Sequence, residues 1–363
     1  MLPLRRRPLV DLVKNNALVG EAFSTYTRFM QRDVELLKRQ LPLLEYLRSH
    51  NWIGRPVGSK HEFVGRCPLH GEMQPSFYVN AQKNLFFCHG CGRGGDLLRF
   101  VQLYLRLNFC ASVAHLKREL HPALFTEGNV LVQTASFYHW QLDKHDEALA
   151  YLYKRGVHDE DLISRLVIGY APGGSLRSHL TEVGCTVDFL AHIGLVDDRG
   201  RDSFYRRIII PCFDGDGNTI NLYGRSIGSP PAHRFLPRSK GGLFAWGRMH
   251  DSPCIILVEG LFDLMVLWQA GFTHTTCGYG IHLTSAQYSQ LRDRSDREIF
   301  IVFDSDQNWA GQRAALTLAH RLRSAGLLAH VVTLPDGHDP NSYFVAGATA
   351  SDFQACLQQA HNL

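Results

Sequence analysis

Four residues in the first third of the chain have the types and spacing of a zinc site. Cys67 and His70 are separated by two residues, and Cys88 and Cys91 repeat that spacing after an interval of 17 residues. Two ligand pairs on tight turns can close a tetrahedron around Zn²⁺, and four protein ligands leave no open coordination position. The pattern therefore predicts a structural zinc site. His89 is an alternative ligand, but it adjoins Cys88 and is poorly placed to complete the tetrahedron.

Aromatic and basic residues crowd this candidate zinc site. They are Phe63, Phe77, Tyr78, Phe86 and Phe87, with Arg66, Lys83, Arg93 and Arg99 close in sequence. A β-ribbon with exposed aromatic and basic side chains suits single-stranded nucleic acid, through base stacking and phosphate contacts. The alternative is that the aromatic rings form the core of a domain too small to have one otherwise. Both can hold, and for any single ring the core position is favoured.

Acidic residues form a second set of candidate ligands. Glu259 ends one apolar run, while Asp304 and Asp306 end another, and Asp263 lies four residues after Glu259. Mg²⁺ binds a few carboxylates together with waters and substrate phosphates, and paired ions can hold both oxygens of a phosphoryl displacement. The set therefore suits phosphoryl or nucleotidyl transfer. The alternative is that these acids only cap helices.

The elements that must position the acids follow a β-α-β pattern. Apolar runs at residues 254–259, 299–303 and 329–334 predict strands, and helical patterns fill residues 261–270 and 309–324. Fully apolar strands that alternate with helices predict a parallel sheet covered on both faces. Ligand sites in such sheets lie beyond the carboxyl ends of the strands. We therefore expect an α/β arrangement in which two strand ends deliver three or four carboxylates to one place.

The preceding part of the chain predicts other elements. Short β-rich runs alternate with Gly and Pro turns over residues 60–95, and an amphipathic helix follows at residues 96–107 with Asp96 as its cap. Residues 214–218 resemble a calcium loop, but Thr219 and Arg225 stand where Gly and Glu are needed, so a hairpin turn is expected. The predicted divisions are a helical extension (1–40), a zinc-binding domain (41–120), a linker (121–133), the first part of a core (134–250), the parallel-sheet domain (251–350) and a C-terminal helix (351–363).

Composition is that of a globular protein, and the basic first third of the chain suggests a polyanionic partner, the alternative being that charge merely drifts along the surface. Hydrophobic residues make up 45% of the 363 residues and charged residues 20%. No apolar run reaches 18 residues, so we expect no membrane segment and a cytoplasmic location. Residues 1–125 carry 18 Lys or Arg and 9 Asp or Glu, a net charge of +9, whereas residues 126–363 carry 20 and 25, a net charge of −5. The nine cysteines include six scattered ones, which favours buried thiols in a reducing compartment over a disulfide framework.

The residues around the zinc site resemble a known family. The stretch RCPLHGEMQPSFYVNAQKNLFFCHGCGRGGDLLRFVQ, residues 66–102, is similar to the CHC2 zinc-binding domain of bacterial DnaG-type primases. The Cys-Pro-x-His, Pro-Ser-Phe, Phe-x-Cys-x-x-Cys and Gly-Gly-Asp segments all occur in the order of that family. The resemblance implies an N-terminal zinc-ribbon domain followed by a primase core.

The acidic segments resemble the Toprim domain, which DnaG-type primases share with topoisomerases and some nucleases. The similar segments are ILVEGLFDLMVL, IVFDSD and LPDGHDPNSYF, which begin at residues 256, 301 and 334. The resemblance implies that Glu259 acts with the Asp304 and Asp306 pair on Mg²⁺ or Mn²⁺. Asp263 and Asp339 also match acidic positions of the family. Two departures are Ser305, where Gly is common, and Asn341, where a further acid is usual.

The region between zinc site and acids resembles the first part of the primase catalytic core. The similar segments are YLYKRGVHDEDLISRLVIGYAPG and FYRRIIIPCFDGDGNTINLYGRSIG, which begin at residues 151 and 204. The resemblance implies basic residues that face nucleotide and template, and the matching positions are Arg206, Arg207, Arg225 and Arg234. Arg234 replaces a family Lys, Tyr205 stands at a usual Arg with Arg206 beside it, and Trp246 stands where many primases carry Lys. The alternative for each arginine is solvated surface.

The order of zinc finger, core and Toprim domain implies a compact primase. Its expected reaction is the synthesis of short RNA primers on single-stranded DNA from NTPs, with structural Zn²⁺ and catalytic Mg²⁺ or Mn²⁺. No counterpart of the helicase-binding C-terminal domain follows, which suggests a phage, plasmid or other mobile element and a helicase or other replication protein bound in another way. The alternatives are a Toprim nuclease or topoisomerase and a catalytically weak zinc-bearing nucleic-acid-binding module. A topoisomerase also needs a nucleophilic tyrosine on a further domain.

Overall fold

The computed structural model describes residues 34–361, apart from positions 36, 59, 229, 305–308 and 336. Most of the predicted helical extension and the candidate ligand Asp306 therefore lie outside the described residues. The described chain divides into two compact units. The first runs to Pro122 and includes Glu182–Gly184, and the second consists of Ala123–Thr181 and Cys185–Leu363.

The first unit is built on a five-stranded antiparallel sheet. Its strands follow chain order and are β1 (Gly54–Pro56), β2 (Glu62–Gly65), β3 (Phe77–Asn80), β4 (Leu85–Cys88) and β5 (Gly94–Gly95). Its helices are α1 (Leu43–Ser49), α2 (Leu97–Leu105) and α3 (Phe109–Leu120). The short strands predicted over residues 60–95 are confirmed.

Side chains of β3 and β4 alternate between a buried and an exposed face of this sheet. Phe77 and Phe86 are buried and stack with ring centroids 5.1 Å apart, and Phe100 of α2 packs edge-on against Phe86 at 5.6 Å. Tyr78 and Phe87, one residue further along each strand, are 36% and 46% exposed. The alternation follows from the two-residue period of a strand. The aromatic residues of the sequence thus divide between a core and an exposed surface.

Helix α2 begins where the sequence predicts. The Asp96 side chain accepts a hydrogen bond from the amide of Arg99 at 2.9 Å, which satisfies one of the free N–H groups of the first turn. The helix ends before Arg106, which has a left-handed conformation with φ of 55°. Its apolar face is buried, and its buried residues are Leu97, Leu98, Phe100 and Val101.

The first part of the second unit contains an antiparallel sheet in the order β6 (Gly169–Ala171), β7 (Arg207–Phe213), β8 (Thr219–Ser226) and β9 (His233–Phe235). The helices between residues 127 and 192 are α4 (Glu127–Leu142), α5 (Asp146–Lys154), α6 (Glu160–Arg165), α7 (Leu176–Val183) and α8 (Val187–His192). The predicted hairpin between β7 and β8 is confirmed. The Asp214 carboxylate closes its turn by accepting from the amides of Asp216 at 3.0 Å and Asn218 at 2.8 Å.

Residues 121–133, which the sequence predicts as a linker, are largely helical. A 3₁₀ turn spans Pro122–Phe125, and α4 begins directly after Thr126. The Thr126 hydroxyl accepts from the amide of Asn129 at 3.4 Å, and Glu127 adds an acid to the first turn. A threonine cap and an acidic first turn both favour a helix start, so they outweigh the turn preference of Gly128.

The last part of the second unit is a parallel sheet in the order β11 (Thr275–Cys277), β10 (Cys254–Val258), β12 (Glu298–Val302) and β13 (Leu328–Val331). Its helices are α9 (Trp246–Met249), α10 (Leu261–Gln269), α11 (Ser285–Leu291), α12 (Ala310–Ser324), α13 (Pro340–Val345) and α14 (Ala350–His361). The predicted strands and helices begin and end within three residues of these bounds, so the α/β pattern is confirmed.

Both faces of the parallel sheet are covered by apolar side chains. Ile256 and Phe300 belong to one hydrophobic cluster, whereas their neighbours Ile255 and Ile299 belong to another. This alternation explains why the strands are apolar at every position rather than at every second one. In the described part of the chain, no helix combines the length and the apolar character needed to cross a membrane.

Candidate functional site

The four predicted zinc ligands lie together near the ends of β2 and β4. The ligand atoms of Cys67, His70, Cys88 and Cys91 are all within 4.8 Å of one another. Burial raises the pKa of the Cys67 thiol to about 12, so a cation would be needed to hold this sulfur as thiolate. Three sulfurs and one imidazole nitrogen are donors that Zn²⁺ prefers, and the arrangement fits a closed structural site.

Glu72 connects the two halves of this zinc site, and the sequence did not single it out. Its carboxylate accepts from the amide of Cys67 at 2.6 Å, from the amide of Ser76 at 3.1 Å and from the Ser76 hydroxyl. Its other contact is Nε2 of His70 at 3.3 Å, while Nδ1 of His70 lies 3.9 Å from the Cys88 sulfur. An N–H donated to a carboxylate fixes the tautomer of a metal-binding histidine. Glu72 is therefore placed to orient His70.

His89 lies outside the ligand cluster and belongs to an exposed aromatic patch. Its ring packs edge-on against Tyr78 at 5.1 Å and Phe87 at 5.0 Å, and all three residues are exposed. Tyr78 and Phe87 are direct partners across β3 and β4. Exposed rings of this kind can stack on nucleic-acid bases. We call Tyr78, Phe87 and His89 the aromatic patch.

The candidate catalytic acids emerge at one edge of the parallel sheet. Val258 of β10 lies opposite Val302 of β12, so Glu259 and Asp304 follow neighbouring strand ends. Carboxyl ends of parallel strands are the usual place of ligand sites in α/β folds. The structure thus brings Glu259 and Asp304 to the same sheet edge. Asp306 lies outside the described residues.

Asp263 is buried in the first turn of α10, close to other acids. One of its carboxylate oxygens accepts from the amide of Gly260 and the other from the amide of Asn341, both at 3.1 Å. Burial raises the pKa of Asp263 well above its usual value, and the charges of Asp339 and Asp304 raise it further. Asp263, Asp304 and Asp339 therefore form one acidic centre. Because the amides of Gly260 and Asn341 lie at the starts of α10 and α13, the Asp263 carboxylate connects these two helices.

Asp339 caps α13, and Asn341 faces the protein interior. The Asp339 side chain accepts from the amide of Ser342, and Pro340 occupies the first helical turn. Asn341 is 3% exposed, and its side-chain N–H donates to the carbonyl of Arg155 at 2.6 Å. An aspartate at this position would place its carboxylate against that carbonyl. Asn341, where the family usually has an acid, can donate this hydrogen bond, and an ionised acid cannot.

The acids do not form a compact ligand cluster by themselves. Among the described residues, no three of Glu259, Asp263, Asp304 and Asp339 have oxygens within 4.8 Å of one another. Mg²⁺ and Mn²⁺ retain several waters and bind substrate phosphates, so a site that fills fully only with substrate fits such an ion. The oxygen donors at this edge suit a hard divalent cation.

Gly311 determines how closely α12 approaches the end of β12. A Cβ added at Gly311 would lie 2.4 Å from the carbonyl oxygen and 3.0 Å from the amide nitrogen of Asp304. Backbone cannot yield as a flexible side chain can, so only glycine allows this approach. Gly311 is therefore a positioning residue for Asp304 that sequence reasoning missed.

Two cations lie near the first turn of α10, which carries Phe262 and Asp263. Arg225 of β8 donates to the Tyr151 hydroxyl at 3.1 Å, and Tyr151 packs edge-on against Phe262 at 6.0 Å. The Arg155 guanidinium lies over the same Phe262 ring at 5.0 Å. The charge of Arg155 acts on Asp263, which follows Phe262 in α10, whereas Arg225 is linked to this helix through Tyr151 and Phe262. Arg155 was not singled out from the sequence, although it lies within the primase-like segment that begins at residue 151.

Arg207 and Arg234 lie on the opposite face of the β7–β9 sheet. In the strand register Arg225 lies opposite Ile208, the neighbour of Arg207, and Arg234 lies opposite Gly224, the neighbour of Arg225. Opposite residues share a face and neighbours on a strand point to opposite faces, so Arg207 and Arg234 share the face that Arg225 does not. Arg225 therefore lies on a different surface from Arg207 and Arg234. Arg207 and Arg234 border a cleft of ≈ 710 Å³ that we call the arginine cleft. Its other charged or polar lining residues are Arg177, Asp197, Arg199, Arg201, Asp202, Ser203 and Tyr205.

Tyr205 and Trp246 also depart from the family pattern, and the structure shows what each side chain contacts. Arg206 forms an ion pair with Glu147 at 2.9 Å, whereas Tyr205, which stands at a usual Arg position, lines the arginine cleft. Trp246 is buried and its indole N–H donates to Asp293 at 3.3 Å. Trp246 thus fills a hydrophobic cluster and does not offer a cation to a nucleotide.

Asp202 is an acid within the arginine cleft. One carboxylate oxygen accepts from the Tyr138 hydroxyl at 2.9 Å and the amide of Phe204 at 2.7 Å. The other oxygen is buried and has no hydrogen-bond partner among the described residues. Burial raises the pKa of this carboxyl to about 6. The sequence alone did not indicate this residue.

Comparison with known proteins places the chain among proteins with the same parts in the same order. Residues 31–130 match the CHC2 zinc finger family, residues 137–247 the DNA primase catalytic core N-terminal domain, and residues 256–344 the Toprim-like family. A zinc ribbon followed by a core with a Toprim domain defines a class of primase-like proteins.

Individual relatives agree with this class. A DNA primase of Aquifex aeolicus is 29% identical over 337 residues, which cover 86% of this chain and 66% of the relative. A DNA primase of Myxococcus xanthus is 32% identical over 356 residues, covering 88% and 58%. The crystal structure of the zinc-binding and RNA polymerase domains of Aquifex aeolicus primase matches with a TM-score of 0.57 and 28% identity, over 90% of this chain and 85% of that one.

The chain thus combines the CHC2 zinc finger, the primase catalytic core and the Toprim domain of DnaG-type primases, and DNA primases are similar to it at about 30% identity over most of its length. It spans 66% and 58% of the length of the two curated relatives described above.

We predict that Glu72→Gln weakens zinc binding about 10- to 100-fold, because an outer carboxylate orients a ligand histidine. Competition with a chromophoric chelator measures the affinity. Glu62→Gln, a change in β2 away from the ligands, is the matched control, and Cys88→Ser should remove the ion altogether. Unchanged affinity in Glu72→Gln would show that His70 is held without Glu72.

We predict that Gly311→Ala lowers the free energy of unfolding by about 1–3 kcal/mol, because the added methyl group meets the backbone of Asp304. Metal-dependent activity should fall with it. Gly215→Ala is the control, since a Cβ there meets nothing within 4 Å. Urea unfolding measures the stability, and equal losses in both variants would contradict the proposed role of Gly311.

We predict that Asp202→Asn gains stability relative to the wild type as pH rises. The pKa of this carboxyl is about 6 in the folded protein, above its ordinary value of 3.8, so the folded state binds the proton more tightly. Wild-type stability therefore falls as pH rises from about 4 to 6 and then levels off. The advantage of Asp202→Asn should grow by about 2 kcal/mol between pH 4.5 and 7.5.

Urea unfolding at these two pH values measures the effect. Asp214→Asn is the control with the opposite sign, because hydrogen bonds from Asn218 lower the pKa of the exposed Asp214 carboxyl. A constant difference between Asp202→Asn and wild type at both pH values would contradict the burial of an ionisable carboxyl in the cleft.

Proposed function

We propose that the chain is a DNA-dependent primase that makes short RNA primers on single-stranded DNA by metal-dependent nucleotidyl transfer. The observation that carries this proposal is the acidic centre at the carboxyl edge of the parallel sheet, with the charge of Arg155 acting on Asp263 and Arg225 linked to the same helix through Tyr151 and Phe262. Acids and arginines at one edge suit a divalent ion and a triphosphate at the same time. The relatives described above are DNA primases, which supports this assignment.

In the proposed reaction Glu259, Asp304 and Asp306 hold Mg²⁺ or Mn²⁺, with Asp263 and Asp339 as further acids of the site. Such an ion would neutralise charge where the 3′-hydroxyl attacks the α-phosphate. Arg155 and Arg225 would hold the phosphates of the incoming NTP. Rate acceleration would come from positioning and charge neutralisation rather than from a dedicated side-chain base.

Template contacts are proposed for two other surfaces. The arginine cleft would bind DNA phosphates through Arg207 and Arg234, and the aromatic patch would stack on bases. The zinc ion would hold the fold of the first unit. A helicase or other replication protein as partner, a cytoplasmic location and a phage, plasmid or mobile-element setting stay predictions.

The proposal is tested by incubating the full chain with single-stranded DNA templates, labelled NTPs and Mg²⁺ or Mn²⁺. The comparison is an Asp304→Ala/Asp306→Ala double variant. Short RNA products that the double variant fails to make support priming. Cleaved template without RNA indicates a Toprim nuclease, and template binding without any product under either metal indicates a binding module, so either result overturns the proposal.

The division of arginines between two surfaces gives a sharper prediction. Arg225→Gln should raise the KM for NTPs at least 10-fold with little change in template affinity. Arg234→Gln should weaken template binding about equally for all sequences and reduce the salt dependence by about one ion, as expected for a phosphate contact. Steady-state kinetics and fluorescence anisotropy measure the two effects. The same defect in both variants would mean that the two faces do not have separate ligands.

A further inference from the structure

Two histidines and a glutamate meet beside β13, the edge strand of the parallel sheet. Glu298 is the first residue of β12, His330 lies on β13, and His361 ends α14. The ligand atoms of all three lie within 4.8 Å of one another. An oxygen of Glu298 lies 3.0 Å from Nε2 of His330 and 2.7 Å from Nδ1 of His361. None of these residues belongs to the acidic centre or to the zinc ribbon.

The hydrogen bonding of His330 leaves one ring nitrogen aimed at this cluster. Its Nδ1 lies 3.1 Å from the carbonyl oxygen of Ala360, which can only accept, so Nδ1 carries the proton. In the neutral ring Nε2 then presents a lone pair. Nε2 is buried and has no hydrogen-bond partner among the described residues, although the Glu298 oxygen is near. Two electron-rich atoms this close require a proton or a metal cation between them.

The surroundings hold the His330 ring in place. Its ring stacks on Phe300 with centroids 5.0 Å apart and an angle of 23° between the planes. The helix that carries His361 is anchored by the buried side chains of Phe353, Leu357 and Ala360. A ring fixed by stacking and by a carbonyl on its far nitrogen has the arrangement typical of a metal-binding histidine.

We propose that Glu298, His330 and His361 bind a Zn²⁺ ion. Two imidazoles and one carboxylate are an established zinc ligand set, with a water in the fourth position. Bonds of about 2.0–2.1 Å at tetrahedral angles place the donor atoms about 3.4 Å apart, so only small movements are needed. His361 is the most exposed ligand, with 58% of its side chain accessible, so the ion and its water can enter from solvent. The ion would join the end of α14 to the sheet.

The test measures zinc in the full chain without a histidine tag. After loading with Zn²⁺ and gel filtration, elemental mass spectrometry should find two zinc ions per wild-type chain. His361→Gln and Glu298→Gln should each retain one, and Cys88→Ser should also retain one. His320→Gln, which alters an exposed histidine of α12, is the matched control and should retain two.

Cobalt distinguishes the two sites by their donors. Co²⁺ bound to Cys88→Ser should show visible ligand-field bands but no thiolate charge-transfer band. Co²⁺ bound to His361→Gln should keep the thiolate charge-transfer band and lose the bands of the histidine and glutamate site. One zinc per wild-type chain would overturn the proposal and leave a protonated His330 as the cation beside Glu298. A second zinc that persists in both His361→Gln and Glu298→Gln would also overturn it, because that ion would lie elsewhere.

Discussion

The parallel pairing of β10 with β12 determines where the acidic residues of the second unit can lie. Val258 opposite Val302 makes both strands end at the same level, so Glu259 and Asp304 leave the sheet side by side. The helix after each strand must then start at that edge. Asp263 lies in the first turn of α10 and Gly311 in the first turn of α12, where the absence of a side chain lets the helix approach Asp304.

Burial of Asp263 next to two other acids is unfavourable, since desolvation and like charges both oppose ionisation. The amides of Gly260 and Asn341 offset part of this cost and join the starts of α10 and α13. The amide side chain of Asn341 continues the connection to the carbonyl of Arg155, whose guanidinium lies over Phe262. Asp263, Asn341 and Arg155 thus belong to one network of hydrogen bonds and ring packing. This network fixes the acid and the cation in separate positions at the sheet edge.

Local patterns predicted much of the fold and the zinc site. Cys67 and His70, like Cys88 and Cys91, are brought together by short turns, so their spacing carries the geometry. Apolar runs predicted the parallel sheet because each strand is buried on both faces. Residues 127–133 of the predicted linker are helical because a cap at Thr126 outweighed the preference of Gly128 for turns. Arg155, Glu72 and Gly311 were missed because their roles depend on partners brought near only by folding.

The sequence by itself determined the order of zinc ribbon, core and Toprim domain, and the placement of Glu259 and Asp304 at strand ends. These properties depend on local spacing and on the period of apolar residues. Only the tertiary structure decided that Arg225 lies on the sheet face that contacts Tyr151 while Arg207 and Arg234 face a separate cleft. The reason is that strand neighbours point to opposite faces, and the register between strands then decides which side chains share a surface.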